Sequence, residues 1–481
     1  MSQAKTYDLI VIGAGSGGLS IGLTMSRVGL SVLMVDKTDR HIGGECLNAG
    51  CVPSKALIHV SQMLHQARQA RTFGFEVTDT TDFDAVKRYI TEKQNIIRDH
   101  ENAAYLRDKE KVAVELGTAR FTGKDKIEVN GKRFRAKRIV LATGSQPAKL
   151  TVPGAENVSF QTNETIFELE KLPKKMLVIG AGPIGMELSQ AFARMGSKVT
   201  VAGSKDRILE KELPEVSAIL QTQLENEGIT FKLNAKVTAF LHARSAQIEY
   251  ANGATEAVEF DTVLLGIGRA FRWDDLNLEA AGIELENGKL KVDDYLRTTN
   301  KNIYVAGDAS GKMYFSHAAE LHASVLTTNF LSPLKARLSY DHFSWVTFTD
   351  PEIATFGLGL EEIQKRGIRY EKLTMDLAGD DRATVADYRY GKLILFIQPA
   401  RINPLGAKLL GGTIIAPQAG EMIQELILAR QQNLSVSALF NKTYPYPTAS
   451  RINKLILVEK FSENLPGWLK KVVKWLYEVV V

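Results

Sequence analysis

Apolar positions along the chain alternate between short runs bounded by glycine and longer stretches with apolar residues every three or four positions, the patterns of buried strands and one-sided helices. Tyr7 to Ile12 is a run of the first kind. It leads into Gly13-Ala14-Gly15-Ser16-Gly17-Gly18, an amphipathic stretch to Val28, and a second apolar run from Ser31 to Val35 that ends in Asp36. The pattern predicts strand, glycine turn, helix, strand. It recurs from Lys175 to Ile179, with Gly180-Ala181-Gly182-Pro183-Ile184-Gly185, a helix to Met195 and a strand from Lys198 to Ala202. Two bound dinucleotides, or a duplicated domain, are implied.

The residue types fit that chemistry. Gly13 permits the tight turn, Gly15 lets the backbone approach a pyrophosphate, and Gly18 lets the helix pack on the strand. Ser16 opens a helix whose free amides face the phosphates. Asp36 is placed to accept hydrogen bonds from a ribose diol. Gly180, Gly182, Ile184 and Gly185 repeat the turn, but the strand after it ends Ala202-Gly203-Ser204-Lys205-Asp206-Arg207, with glycine where the acid would stand. Ser204, Lys205 and Arg207 suit a 2'-phosphate, so NADPH is expected over NADH.

A chain of 481 residues is too long for one core and suggests about three or four domains. The formal charge of +5, with no long basic run interleaved with aromatics, gives nucleic-acid binding little support. The first residues carry no pattern of a secretory signal, so a cytoplasmic location is expected. Two cysteines cannot form a disulfide scaffold or a four-ligand zinc site.

Those two cysteines sit in Gly43-Gly44-Glu45-Cys46-Leu47-Asn48-Ala49-Gly50-Cys51-Val52-Pro53-Ser54-Lys55. On an ideal helix, residues five apart lie about 140° around the axis and more than about 8 Å apart, beyond disulfide reach. A distorted turn must therefore bring them together, and Gly43, Gly44 and Gly50 permit one. Pro53 suits a first helical turn, which puts Cys51 at a helix N-terminus with Lys55 one turn on. Both features favour a thiolate, so the pair is expected to cycle between disulfide and dithiol.

The segment closely resembles the active-site stretch of the flavin disulfide reductases, the class I pyridine nucleotide-disulfide oxidoreductases. Ala142-Thr143-Gly144-Ser145, Gly266-Ile267-Gly268-Arg269, Ile303-Tyr304-Val305-Ala306-Gly307-Asp308 and Thr349-Asp350-Pro351-Glu352 carry the resemblance through almost the whole chain. It implies FAD as cofactor and a path for two electrons from NADPH through flavin to a Cys46–Cys51 disulfide. Cys51 would be the thiolate near the flavin and Cys46 the exposed thiol that attacks the acceptor. Lys55 would pair with Glu187 beside the flavin, and Asp308 would hold its ribityl chain. Gly44, Thr143, Gly144, Ser145, Gly268, Gly307, His317 and Ala318 would line the cofactor sites, with Ser316 to Ala318 opening a helix toward the flavin ring. His59 and His322 read as structural.

The resemblance also implies a homodimer with a shared active site. Its fold is α/β: two Rossmann-like dinucleotide-binding domains and a C-terminal α+β dimerisation domain. The expected division is an FAD domain at residues 1–153 and 270–343, a NADPH domain at 154–269, an interface domain at 344–464 and a tail at 465–481. Thiol-handling members place a His/Glu acid–base dyad near the C-terminus, where this chain has Tyr446 and Arg451. A tyrosine is a poor base at neutral pH, so a dithiol substrate is disfavoured. Tyr446 is similar to the mercuric reductase-like members, and the expected acceptor is a disulfide or a soft metal ion. With two cysteines, Cys46 and Cys51, mercury handover through a terminal cysteine pair or a metal-capture domain of the mercuric kind is not expected. The competing readings are a diaphorase-like quinone reductase and a redox-sensing flavoprotein. In the tail, Lys470, Lys471 and Lys474 lie opposite apolar residues at helical spacing. Contact with a membrane surface, or packing on the protein itself, is expected there.

Overall fold

In the computed structural model, which describes residues 4–78, 80–401, 403–463 and 467–480, the N-terminal apolar runs become neighbouring parallel strands. The first sheet contains β1 (Lys5–Ile12), β2 (Val32–Asp36), β3 (Ala113–Leu116), β4 (Arg120–Gly123), β5 (Lys126–Val129) and β6 (Lys132–Leu141). Its order is β3-β2-β1-β6-β5-β4, with strand Ile303–Val305 parallel to the last part of β6. Alternation along β1 feeds two cores: Ile10 and Ile12 pack on one face, Leu9 and Val11 on the other.

Register places the site. Ile12 stands opposite both Val35 and Leu141, and Val305 stands opposite Leu141. The loops carrying Gly13, Asp36, Thr143 and Asp308 therefore leave the sheet along one edge, at the carboxyl ends of its parallel strands, where such sheets bind ligands. Helix α1 (Ser16–Arg27) is capped by Gly15 and buries Gly17, Gly18, Leu19, Ile21 and Met25. A Cβ on Gly18 would stand 1.9 Å from the Gly13 carbonyl oxygen, so only glycine allows this helix to lie so close to the strand.

The second fingerprint builds the same device on a separate five-stranded parallel sheet, ordered Thr230–Lys232, Lys198–Ala202, Lys175–Ile179, Thr262–Leu265, Phe160–Gln161. There a Cβ on Gly185 would meet the Gly180 carbonyl oxygen at 2.2 Å. The helix Pro183–Met195 that follows is buried along most of its length.

The chain up to Asp206 together with Gly228–Leu338 forms one compact unit that holds both sheets. The other unit is Arg207–Glu227 with Ser339–Val481. Its antiparallel sheet runs Ser344–Thr347, Glu352–Gly357, Lys408–Ala416, Lys392–Gln398, Glu371–Asp376. Segment Arg207–Glu227 is tied in through Glu212, whose carboxylate accepts hydrogen bonds from Trp345 Nε1 at 2.6 Å and Thr355 Oγ1 at 2.8 Å. Of the tail, residues 465, 466 and 481 lie outside the described residues, and the rest contributes a helix over Gly467–Val480.

Candidate active site

Cys46 lies in a five-residue helix, α2 (Gly44–Asn48), and Cys51 opens the long helix α3 (Cys51–Gln69). The chain turns sharply at Gly50, where an added Cβ would be 2.9 Å from the Glu45 carbonyl oxygen. That turn brings the two thiols into a hydrogen bond.

Both thiols are accessible, Cys46 half-buried and Cys51 exposed. Helix α2 is anchored at three points. Asn48 Nδ2 donates to the Gly44 carbonyl at 2.8 Å, Gly44 packs against Gly15, and Glu45 is held by Arg269.

Charge around the pair is asymmetric. The hydrogen bond from Cys46 lowers the Cys51 pKa to about 6, helped by Ser316 and by attraction to Lys55, against opposition from burial and Glu187. The same proton sharing raises Cys46, and burial raises it further. Ser316 Oγ lies 3.3 Å from Cys51 Sγ and is the first residue of helix Ser316–Leu331. Cys51 is thus at the N-terminus of its own helix and against the N-terminus of a second, and both dipoles favour its thiolate. One turn along α3, Lys55 Nζ donates to Glu187 Oε2 at 2.7 Å. Glu187 comes from the helix of the second fingerprint and is only 7% exposed, so the ion pair joins the cysteine helix to the nucleotide-binding helix.

A second network was not legible as such in sequence. Arg269 pairs through both terminal nitrogens with the Glu45 carboxylate, and its Nε donates to Ser145 Oγ at 2.9 Å. Ser145 Oγ donates in turn to Asp308 Oδ2 at 2.5 Å, and Asn163 Nδ2 donates to Glu45 Oε1 at 2.6 Å. Burial raises the Glu45 carboxyl while Arg269 pulls it down, and burial likewise raises Asp308 against its bond from Ser145. Arg269 closes the Gly-Ile-Gly-Arg motif and Glu45 adjoins Cys46, but nothing local connects residues 224 apart.

The remaining expected residues fall as follows. Asp36 ends β2, and its two oxygens accept the Ala14 amide at 2.7 Å and the Lys37 amide at 2.6 Å. His322 is buried, its Nδ1 accepts the Gly307 amide at 3.0 Å, and burial lowers its pKa to about 4. Ala318 is buried, whereas His317 is exposed and tilted against Phe315. Gly144 and Gly268 take positive φ in the loops beside Ser145 and Arg269. Gly182 caps the second fingerprint helix, and Ile184 is partly exposed beside it. Ser204 and Lys205 follow strand Lys198–Ala202 in the first unit, while Arg207 belongs to the second. Tyr446 and Arg451 are also in the second unit. The Tyr446 hydroxyl donates to Asp381 Oδ2 at 3.1 Å, which raises its pKa, and Arg451 lies over its ring at 5.5 Å.

Two family models cover this architecture: pyridine nucleotide-disulphide oxidoreductase over residues 7–323, and the dimerisation domain of the same family over residues 343–455. The chain belongs to the pyridine nucleotide-disulphide oxidoreductase family. A mercuric reductase of Lysinibacillus sphaericus is 32% identical over 93% of this chain and 82% of its own. A dihydrolipoyl dehydrogenase of Thermus scotoductus is 33% identical over 93% of this chain and 95% of its own. The solved copper(II) complex of the HOCl-induced flavoprotein disulfide reductase RclA of Escherichia coli superposes with a TM-score of 0.82, covering 94% of this chain and 99% of that one. At 24% identity that likeness shows the fold.

Members of this oxidoreductase family depend on FAD and use a pyridine nucleotide, and the dimerisation domain supports a homodimer. The residues present fit FAD. A Cβ on Gly44 would stand 2.5 Å from Gly15 Cα, so the bare backbone there keeps the mouth of α1 open to a pyrophosphate. Asp36 keeps acceptor capacity beyond its two amide bonds for a ribose diol. Asp308, oriented by Ser145, is the carboxylate that would hold the ribityl chain.

Proposed function

We propose that the protein is an NADPH-dependent flavoprotein reductase that delivers electrons through the Cys46–Cys51 pair to a soft metal ion or a disulfide. The observation that carries this reading is the contact between the two thiols, with Ser316 Oγ 3.3 Å from Cys51 Sγ and Lys55 paired with Glu187 one turn along the same helix. Bound FAD supplies two-electron transfer between nicotinamide and disulfide. Opening the disulfide takes two electrons and, at neutral pH, one proton. Cys46 holds that proton while Cys51 stays a thiolate against Ser316. Lys55, fixed by Glu187, stands beside it as a positive charge that steadies negative charge arriving in the site.

On the acceptor side, a soft metal ion bound by two thiolates needs no proton from the protein. A dithiol product needs an efficient acid–base group, and Tyr446, with its pKa raised by Asp381, is a weak one. This favours the metal. A site assembled from both subunits is part of the proposal, and the dimerisation domain supports it.

Cys46→Ser tests the route. Turnover with mercuric ion or a disulfide should fall on the order of 100-fold or more. NADPH-driven reduction of a quinone that takes electrons directly from flavin should persist. Retained mercuric and disulfide turnover would refute the proposal. Nucleotide choice is tested separately by kcat/KM. Gly203 in place of an acid, followed by Ser204 and Lys205, supports NADPH, and a clear NADH preference would refute that part.

A further inference from the structure

The helix Gly467–Val480 plays no part in the chemistry above, yet its side chains are sorted with unusual strictness. At about 100° per residue, Lys470, Lys471, Lys474 and Glu478 fall within an arc of roughly 100°, and Val472, Val473, Trp475, Leu476, Val479 and Val480 within an arc of roughly 160° on the opposite side. Those six apolar residues are 41–81% exposed. A continuous open strip of this kind differs from the scattered exposed apolar residues of an ordinary surface.

Three features identify what covers it. The polar face carries three lysines against one glutamate, with Lys474 and Glu478 4.0 Å apart, and so is net positive. Trp475 and Tyr477 stand at opposite edges of the apolar strip, next to the lysines. Amphipathic rings occupy that position where hydrocarbon meets headgroup. Length supplies the third: fourteen residues reach about 21 Å, short of the roughly 30 Å of a bilayer core. No helix among the described residues is long and apolar enough to cross a membrane.

We propose that this helix lies flat on an anionic phospholipid surface, its valine, leucine and tryptophan strip at the depth of the upper acyl chains and its lysines among the headgroups. A second copy of the chain could bury the same strip, but self-pairing would turn the net positive faces outward with no counter-charge, whereas an anionic surface complements them. The proposal is independent of which acceptor the cysteines serve.

The test uses the full-length FAD-loaded enzyme and sedimentation with vesicles of phosphatidylcholine, alone or mixed with phosphatidylglycerol. Binding should require phosphatidylglycerol and weaken as salt rises. Replacing Lys470, Lys471 and Lys474 together by Gln should weaken partitioning on the order of 100-fold. Val472→Asp combined with Leu476→Asp should abolish it. NADPH oxidation with a soluble acceptor should be unchanged in both variants, showing that they fold. Failure of the wild type to bind, or equal binding by either variant, overturns the proposal. Loss of self-association in the Asp variant, with no vesicle binding by the wild type, overturns it in favour of a second copy.

Discussion

Cys51 and Cys46 are chemically identical side chains with opposed environments. Cys51 receives hydrogen bonds from Cys46 and Ser316 and the pull of Lys55, while the bond to Cys51 and burial keep the proton on Cys46. Ser316 donates to an anion, so its removal must make that anion less favourable. Ser316→Ala is expected to raise the Cys51 pKa from about 6 by roughly one to two units, since a hydrogen bond to a charged group contributes about 1.5–3 kcal/mol. The pH dependence of iodoacetamide alkylation of the reduced enzyme measures it, and an unmoved midpoint would remove Ser316 from the account. The linkage sign follows from a folded pKa below the unfolded one. The ionised Cys51 stabilises the reduced fold above the ordinary thiol pKa, and that contribution fades as pH falls through about 6. At this scale, the cysteines, Lys55 and Glu187 were legible because a motif surrounds each. The anchoring of the five-residue helix α2 was not, because Gly15 and Arg269 reach it from distant parts of the chain.

Elements carry the site through contacts distant in sequence. Helix α2 is fixed by Glu45 and Arg269, and Arg269 reaches Asp308 through Ser145, so one guanidinium braces both the cysteine turn and the Asp308 loop. Its side chain is only 9% exposed. Arg269→Ala would leave the partly buried carboxylates of Glu45 and Asp308 without their cation, a loss of about 1–3 kcal/mol, below that of a fully buried pair. Thermal unfolding should show that loss together with reduced FAD content. Adding Glu45→Gln should recover part of it, because the orphaned charge is then gone, and strictly additive losses would mean that the two residues act separately. Both strand–turn–helix–strand units were readable from sequence nearly to the residue, since their glycines meet local steric demands. The Arg269 network was not, because its partners lie on different elements and share no pattern.

At the scale of the molecule, two nucleotide-binding sheets share one compact unit, and helices from both supply the ion pair beside the cysteines. The whole arrangement has a purpose only if the disulfide is in the electron path. Anaerobic titration of the FAD-loaded enzyme with NADPH tests this directly. The account predicts a long-wavelength thiolate-to-flavin absorption band as the first equivalent is consumed, and a total uptake of two equivalents per subunit. Uptake of a single equivalent with no such band would show that Cys46 and Cys51 stand outside the path, and would contradict the account.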